Sequence, residues 1–174
     1  MPKTQRVAYA KVVQAEAKEH SIDPFTLVAI IDHESHWRAG AISADGEDYG
    51  LGQVRARFQR ACRKDSDPVH NPSPACKRAK MTLLNGSYNI RRIAHHISAW
   101  RNTCRKITKR PALFHRWLAG YGGMGRQGPT GGWIRICGQR RTKKGWRDLP
   151  IHRQLRNIMN YRKKLIRLSK QRRR

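Results

Sequence analysis

Apolar positions recur along this chain at three- and four-residue intervals, the spacing that places them on one face of an α-helix. Val7, Ala8, Val12 and Ala15 predict a first helix over Gln5–Glu19. Asp23 as N-cap and Pro24 in the first turn open a second, which runs to about Trp37. A short helix is expected over Val54–Cys62 and a long one over Leu83–Arg105, the latter grouping Tyr88, Ile90, Ile93, Ile97 and Trp100. Another covers Pro111 to Leu118. The last, at roughly 148–170, is built on Ile151, Leu155, Ile158, Leu165 and Ile166. Period-two alternation is scarce, and only a short ribbon near Trp133–Cys137 reads as strand. No internal repeat is visible. The pattern predicts a mainly α fold.

The stretch "LVAIIDHESHW" departs from simple burial. Glu34 stands in line with Leu27, Ile30 and Ile31, so its carboxylate emerges from the apolar stripe. Such a placement costs free energy unless the group is paired, protonated or used. One reading is a structural glutamate paired to an arginine of the same protein. A zinc-protease helix is disfavoured, because that motif needs histidines at i and i+4, whereas His33 and His36 are three apart with no evident third ligand. A third reading is catalytic. An acid on an apolar helix has a raised pKa and can donate a proton near neutrality, as cleavage of a glycosidic bond requires.

Charge changes the picture next. The 174 residues hold 38 Lys+Arg against 11 Asp+Glu, formally +27. After Asp67 the only acid is Asp148, so a negative centre around Glu34 is set in a cationic protein. Such a field favours polyanions, including nucleic acid, anionic lipid and wall polymers, without choosing among them. The glycine-rich "GYGGMGRQGPTGGW" lacks the terminal Lys-[Ser/Thr] of a phosphate-binding loop. No apolar run is long enough to span a bilayer or to form a signal-peptide core near the N-terminus. Cys62, Cys76, Cys104 and Cys137 permit three disulfide pairings, of which Cys62–Cys76 would staple a proline-rich loop; four reduced thiols are the alternative. A zinc site would need closer pairs.

The motifs after Glu34 carry a resemblance. "DPFTLVAIIDHES", then "AISADG" from Ser43, "YGLGQV", "SYNIRRIAHHI" with Asn89-Ile90, and "WLAGYGG" around Tyr121 keep the order of the soluble lytic transglycosylase, or goose-type lysozyme-like, domain. The resemblance spans roughly residues 20 to 126. It implies one lysozyme-like domain over 1–135 and a basic extension over 136–174. It also implies cleavage of the β-1,4 bond between N-acetylmuramic acid and N-acetylglucosamine in peptidoglycan, to 1,6-anhydro products, without a cofactor or metal.

By the same resemblance Glu34 is the catalytic acid and later the base. Ser35, Ser43, Gly50, Leu51, Gln53, Asn89 and Tyr121 are the substrate-binding candidates. Two positions depart from the family pattern: Gly52 where methionine is usual, and Gly122 where asparagine follows the tyrosine. Both bear on substrate fit. A hydrolytic lysozyme or phage endolysin would need a second carboxylate holding water ~6.5–9.5 Å from the acid. Asp45, Glu47 and Asp48 are the candidates. Their simpler reading is turn capping, which favours transglycosylation.

The expected partners are peptidoglycan strands, with anionic envelope polymers or lipid attracted to the basic C-terminus. Adventitious nucleic-acid binding by the arginine tail is also expected, although no nucleic-acid-binding signature supports a dedicated role. The expected state is a monomer. The expected route is synthesis in the cytoplasm and action on the wall, as a phage lysin or through a secretion or virion machine.

Overall fold

The computed structural model describes residues 1–109, 114–122, 126–127 and 132–171. They are mainly helical and divide into two compact units, Met1–Ala94 and His95–Arg174. The division expected at 135/136 falls inside a strand of the second unit.

In the first unit, α1 (Lys3–Glu19) and α2 (Pro24–Ser35) pack against each other. Tyr9, Val13 and Ala17 are the buried apolar residues of α1. Glu16, also buried, lies 3.4 Å from the Arg91 guanidinium. α2 starts where its sequence requires: the Asp23 carboxylate accepts the Phe25 N–H (3.3 Å) and the Thr26 hydroxyl (3.3 Å), and Pro24 follows. It ends at Ser35, earlier than Trp37. His36 and Trp37 both have positive φ, 49° and 63°, which ends the helical path.

A two-residue hairpin follows, β1 (Asp48–Tyr49) with β2 (Val54–Arg55). The helix expected over Val54–Cys62 is replaced by β2 and two 3₁₀ turns, Ala56–Phe58 and Arg60–Cys62. Tertiary ties override local propensity here: the Ala56 N–H reaches back to the Glu47 carbonyl at 2.8 Å. A Cys62–Cys76 disulfide then closes the proline-rich loop. It ties the second 3₁₀ turn to α3 (Pro74–Leu83), a helix absent from the sequence expectation although Ser73 caps it (3.2 Å to the Cys76 N–H) and Pro74 opens it. The long helix α4 runs Gly86–Thr108, starting later than Leu83 because α3 takes that residue. At Gly86 any Cβ would fall on the Tyr9 ring, so glycine permits that close approach.

The second unit contains the C-terminal part of α4, α5 (Phe114–Tyr121), a four-stranded antiparallel sheet and α6 (Arg153–Gln171). The sheet order is β3 (Arg126–Gln127), β4 (Trp133–Ile136), β5 (Gln139–Thr142) and β6 (Gly145–Asp148). It is larger than the expected ribbon. β6 also shortens the terminal helix, which begins at Arg153 and not near 148. Asp148 is held in the sheet by Gln139 (2.7 Å) and by the buried Arg116 (3.2 Å). A second disulfide, Cys104–Cys137, joins α4 to the β4–β5 turn, so the cysteines of the described structure are bonded and not reduced. The residues 111–113, most of the glycine-rich run and the arginine tail from 172 lie outside the described residues. Among the described residues, no helix is long and apolar enough to cross a membrane.

Candidate active site

Glu34 sits in the last turn of α2, one turn from Ile30 and Ile31 and two from Leu27, all without exposure. Among the described residues its carboxyl has neither a hydrogen bond nor an ion pair, so the arginine partner of the structural reading is not there. Burial pushes its pKa up from 4.5 to about 7, and the negative charge of Asp48 adds to the rise. Half of these carboxyls therefore carry a proton near neutrality. Beside it, burial and the neighbouring His36 lower the pKa of His33, against an opposing pull from Asp32. Among the described residues no three His, Cys, Asp or Glu side chains are placed to hold a metal ion.

The loop of the β1–β2 hairpin is built around Asn89 on α4. Its side-chain oxygen accepts the Gly52 N–H at 2.8 Å, while its amide donates to the Tyr49 carbonyl (2.9 Å) and the Leu83 carbonyl (2.7 Å). Asn89 has no exposure, so it pins the backbone and presents no surface to a ligand. Gly50 makes the fit. Its φ is +78°, and a Cβ would land on the Asn89 amide and the Leu83 carbonyl. Leu51 is likewise fully buried and anchors the loop from within. Gln53, with φ +48°, donates its side-chain amide to the Gly50 carbonyl (3.0 Å) and the Ala41 carbonyl (3.3 Å). The amide oxygen of Gln53 has no partner among the described residues. The Ser35 hydroxyl, 1% exposed, is engaged with the Ile31 carbonyl at 3.2 Å.

The acidic residues of the loop are all engaged. Asp45 is exposed and caps a turn, accepting the Ser43 hydroxyl and the Glu47 N–H (3.1 Å), and these bonds hold its pKa below the usual range. Ser43 in turn accepts the Asp48 N–H at 2.9 Å, so it also serves the turn. Asp48 receives a two-pronged contact from Arg55, Nε and one terminal nitrogen each at 3.0 Å. Glu47 pairs with Arg55 (3.0 Å) and Arg57 (2.6 Å). Arg55 thus balances Glu47 and Asp48, the second of which is the carboxylate whose charge acts on Glu34. Sequence reasoning missed it, although the hairpin register that sets Asp48 opposite Arg55 is a charge pair across a short glycine turn.

Glu34, Ser35, Ser43, Asp45, Glu47, Asp48, Gly50, Leu51, Gln53 and Asn89 all lie in the first unit. Tyr121 belongs to the second unit, where it is the last residue of α5.

Neither a curated protein nor a solved structure matches the chain at a significant level. A family model does, the transglycosylase SLT domain, over residues 11–96. The match covers the second half of α1, α2 with Glu34, the hairpin loop and the Asn89 pin. Over residues 11–96 the chain is thus similar to the transglycosylase SLT domain, a family of enzymes that cleave glycosidic bonds of peptidoglycan.

Proposed function

We propose that the protein is a lytic transglycosylase in which Glu34 does both halves of the proton transfer. The observation that carries this reading is a carboxyl held near pKa 7 by burial, with no cationic partner among the described residues. Protonated Glu34 donates to the departing glycosidic oxygen of N-acetylglucosamine as the bond to the muramic anomeric carbon breaks. The resulting carboxylate then takes the proton of the muramic 6-hydroxyl as that oxygen closes on the same carbon. The product is a 1,6-anhydro ring, and the enzyme returns protonated. The negative charge of Asp48 favours the proton on Glu34 before reaction and positive charge at the anomeric carbon during it.

The engaged state of the loop acids supports transglycosylation over hydrolysis. Asp45 is committed to a turn, while Glu47 and Asp48 are committed to arginines. The two disulfides suit an oxidising compartment, so the proposed site of action is the cell envelope. The test is digestion of purified peptidoglycan with mass spectrometry of the released muropeptides. Anhydro-muramic ends that disappear in Glu34→Gln are the expected result. Reducing ends would overturn the transglycosylase reading, and full activity of the Gln variant would overturn the role of Glu34.

A further inference from the structure

The second unit carries a charge pattern that folding stability by itself disfavours. Directly opposed residues of an antiparallel pair project to the same face, and like charges placed there weaken the pairing. Here Arg135 stands opposite Arg140, and Arg140 opposite Arg147. The three form a row across β4, β5 and β6, roughly 10 Å long at the usual strand spacing. By strand alternation the other face holds Ile136 and Gln139, both without exposure.

All three arginines are exposed, and none has a hydrogen-bond or ion-pair partner among the described residues. The sole acid between His95 and Arg174 is Asp148. It lies on the other face and is already taken by Arg116 and Gln139. Nothing described within this unit neutralises the row. Lys143 and Lys144, at the tip of the β5–β6 hairpin, extend the positive field towards an open hollow that Trp146 helps to line.

We propose that this arginine row is a second peptidoglycan-binding site that engages the carboxylates of the stem peptides, apart from the glycan-cleaving centre at Glu34. The choice of partner rests on the proposed peptidoglycan cleavage. The planar guanidinium fork matches a carboxylate in two-pronged fashion, and stem peptides repeat carboxylates along the strand, so a row is served where one arginine would not be. Two linked contacts on one polymer raise the local concentration of substrate at the catalytic unit.

The test measures sedimentation with insoluble peptidoglycan freed of attached polymers, using Glu34→Gln protein so that no substrate is consumed. Its variant adds Arg135→Gln, Arg140→Gln and Arg147→Gln. At physiological salt the variant should bind roughly tenfold more weakly, the equivalent of a few exposed charge contacts. Amidating the peptidoglycan carboxylates should weaken the parent to the same degree and leave the triple variant little changed. A circular-dichroism melt no lower than the parent's confirms folding, since the substitutions relieve repulsion. Equal binding by parent and variant overturns the proposal. So does indifference to amidation, or a row-dependent loss seen for single-stranded DNA and not for peptidoglycan. Muropeptide release is measured separately with Glu34 intact. An inactive chain that still binds through the row overturns the cleavage reading alone, and an active chain whose binding ignores the row overturns this one.

Discussion

Replacing Glu34 by glutamine removes a titrating group from an apolar helix face and keeps its shape. The folded-state pKa of Glu34 is raised from 4.5 to about 7, so ionisation is disfavoured in the native protein relative to the unfolded chain. The difference corresponds to roughly 3 kcal/mol at ~1.4 kcal/mol per tenfold. Its sign is set by linkage. Below pH 4.5 the carboxyl is protonated in both states and no penalty exists. Between there and about 7 the unfolded chain releases its proton first, and the wild type loses stability steadily. Above that range the penalty is complete.

Glutamine never ionises, so the stability gap between Glu34→Gln and wild type should widen in favour of the variant by about 3 kcal/mol from pH 4 to pH 8. Urea unfolding at constant salt, with both disulfides intact and helix content as the signal, reads that gap directly. Its absolute value at pH 4 includes any packing difference between the two side chains and is not needed. A gap that stays flat over the whole range would refute the reasoning, since it would mean that Glu34 is as well solvated in the folded protein as in the unfolded one.

Activity on peptidoglycan should fall as pH rises past about 7, where the acid loses its proton. Asp48→Asn should move that falling limb to lower pH by removing the anion that helps hold the proton, a shift readable in the profile of kcat/KM. Asn89→Ala should destabilise by roughly 3 kcal/mol or more, because three buried backbone groups lose their partner at once; chemical denaturation measures it, and cleavage should fail with the loop. Gly50→Ala should cost at least about 2 kcal/mol through its positive φ and the collision with Asn89, with the loss read by the same denaturation. Replacing both Cys62 and Cys76 by serine frees a loop of sequence separation 14 and should lower stability by about 3 kcal/mol, while addition of reductant should no longer shift the melting temperature to the same extent.

Several elements were legible because their signals are local. Asp23-Pro24 opens a helix in any context, and the 3.6-residue spacing of Leu27, Ile30 and Ile31 places Glu34 on the apolar face without reference to the rest of the chain. The start of α3 carried an equally local signal in Ser73-Pro74, and was overlooked because the preceding prolines read as loop. The sheet of the second unit was hidden for a different reason. Strands such as Gln139–Thr142 and Gly145–Asp148 show no apolar–polar alternation. Their solvent face carries arginine, and their inner face carries Gln139 and Asp148, made tolerable by the buried Arg116.

The candidate site divides along the same line. Periodicity alone determined that a carboxylate sits where solvent is scarce, since helical spacing follows from backbone geometry. Only the tertiary structure decided its chemistry. Arg55 could have answered Glu34 and lowered its pKa; the hairpin register instead turns it to Asp48, leaving the Glu34 pKa raised to about 7. Asn89, by resemblance a substrate-binding candidate, is instead buried by the fold under the Gly50 turn. Charge and hydrogen-bond capacity are written in the residue type. Their effect depends on which opposite group comes within a few ångströms, and that distance is a property of the folded chain.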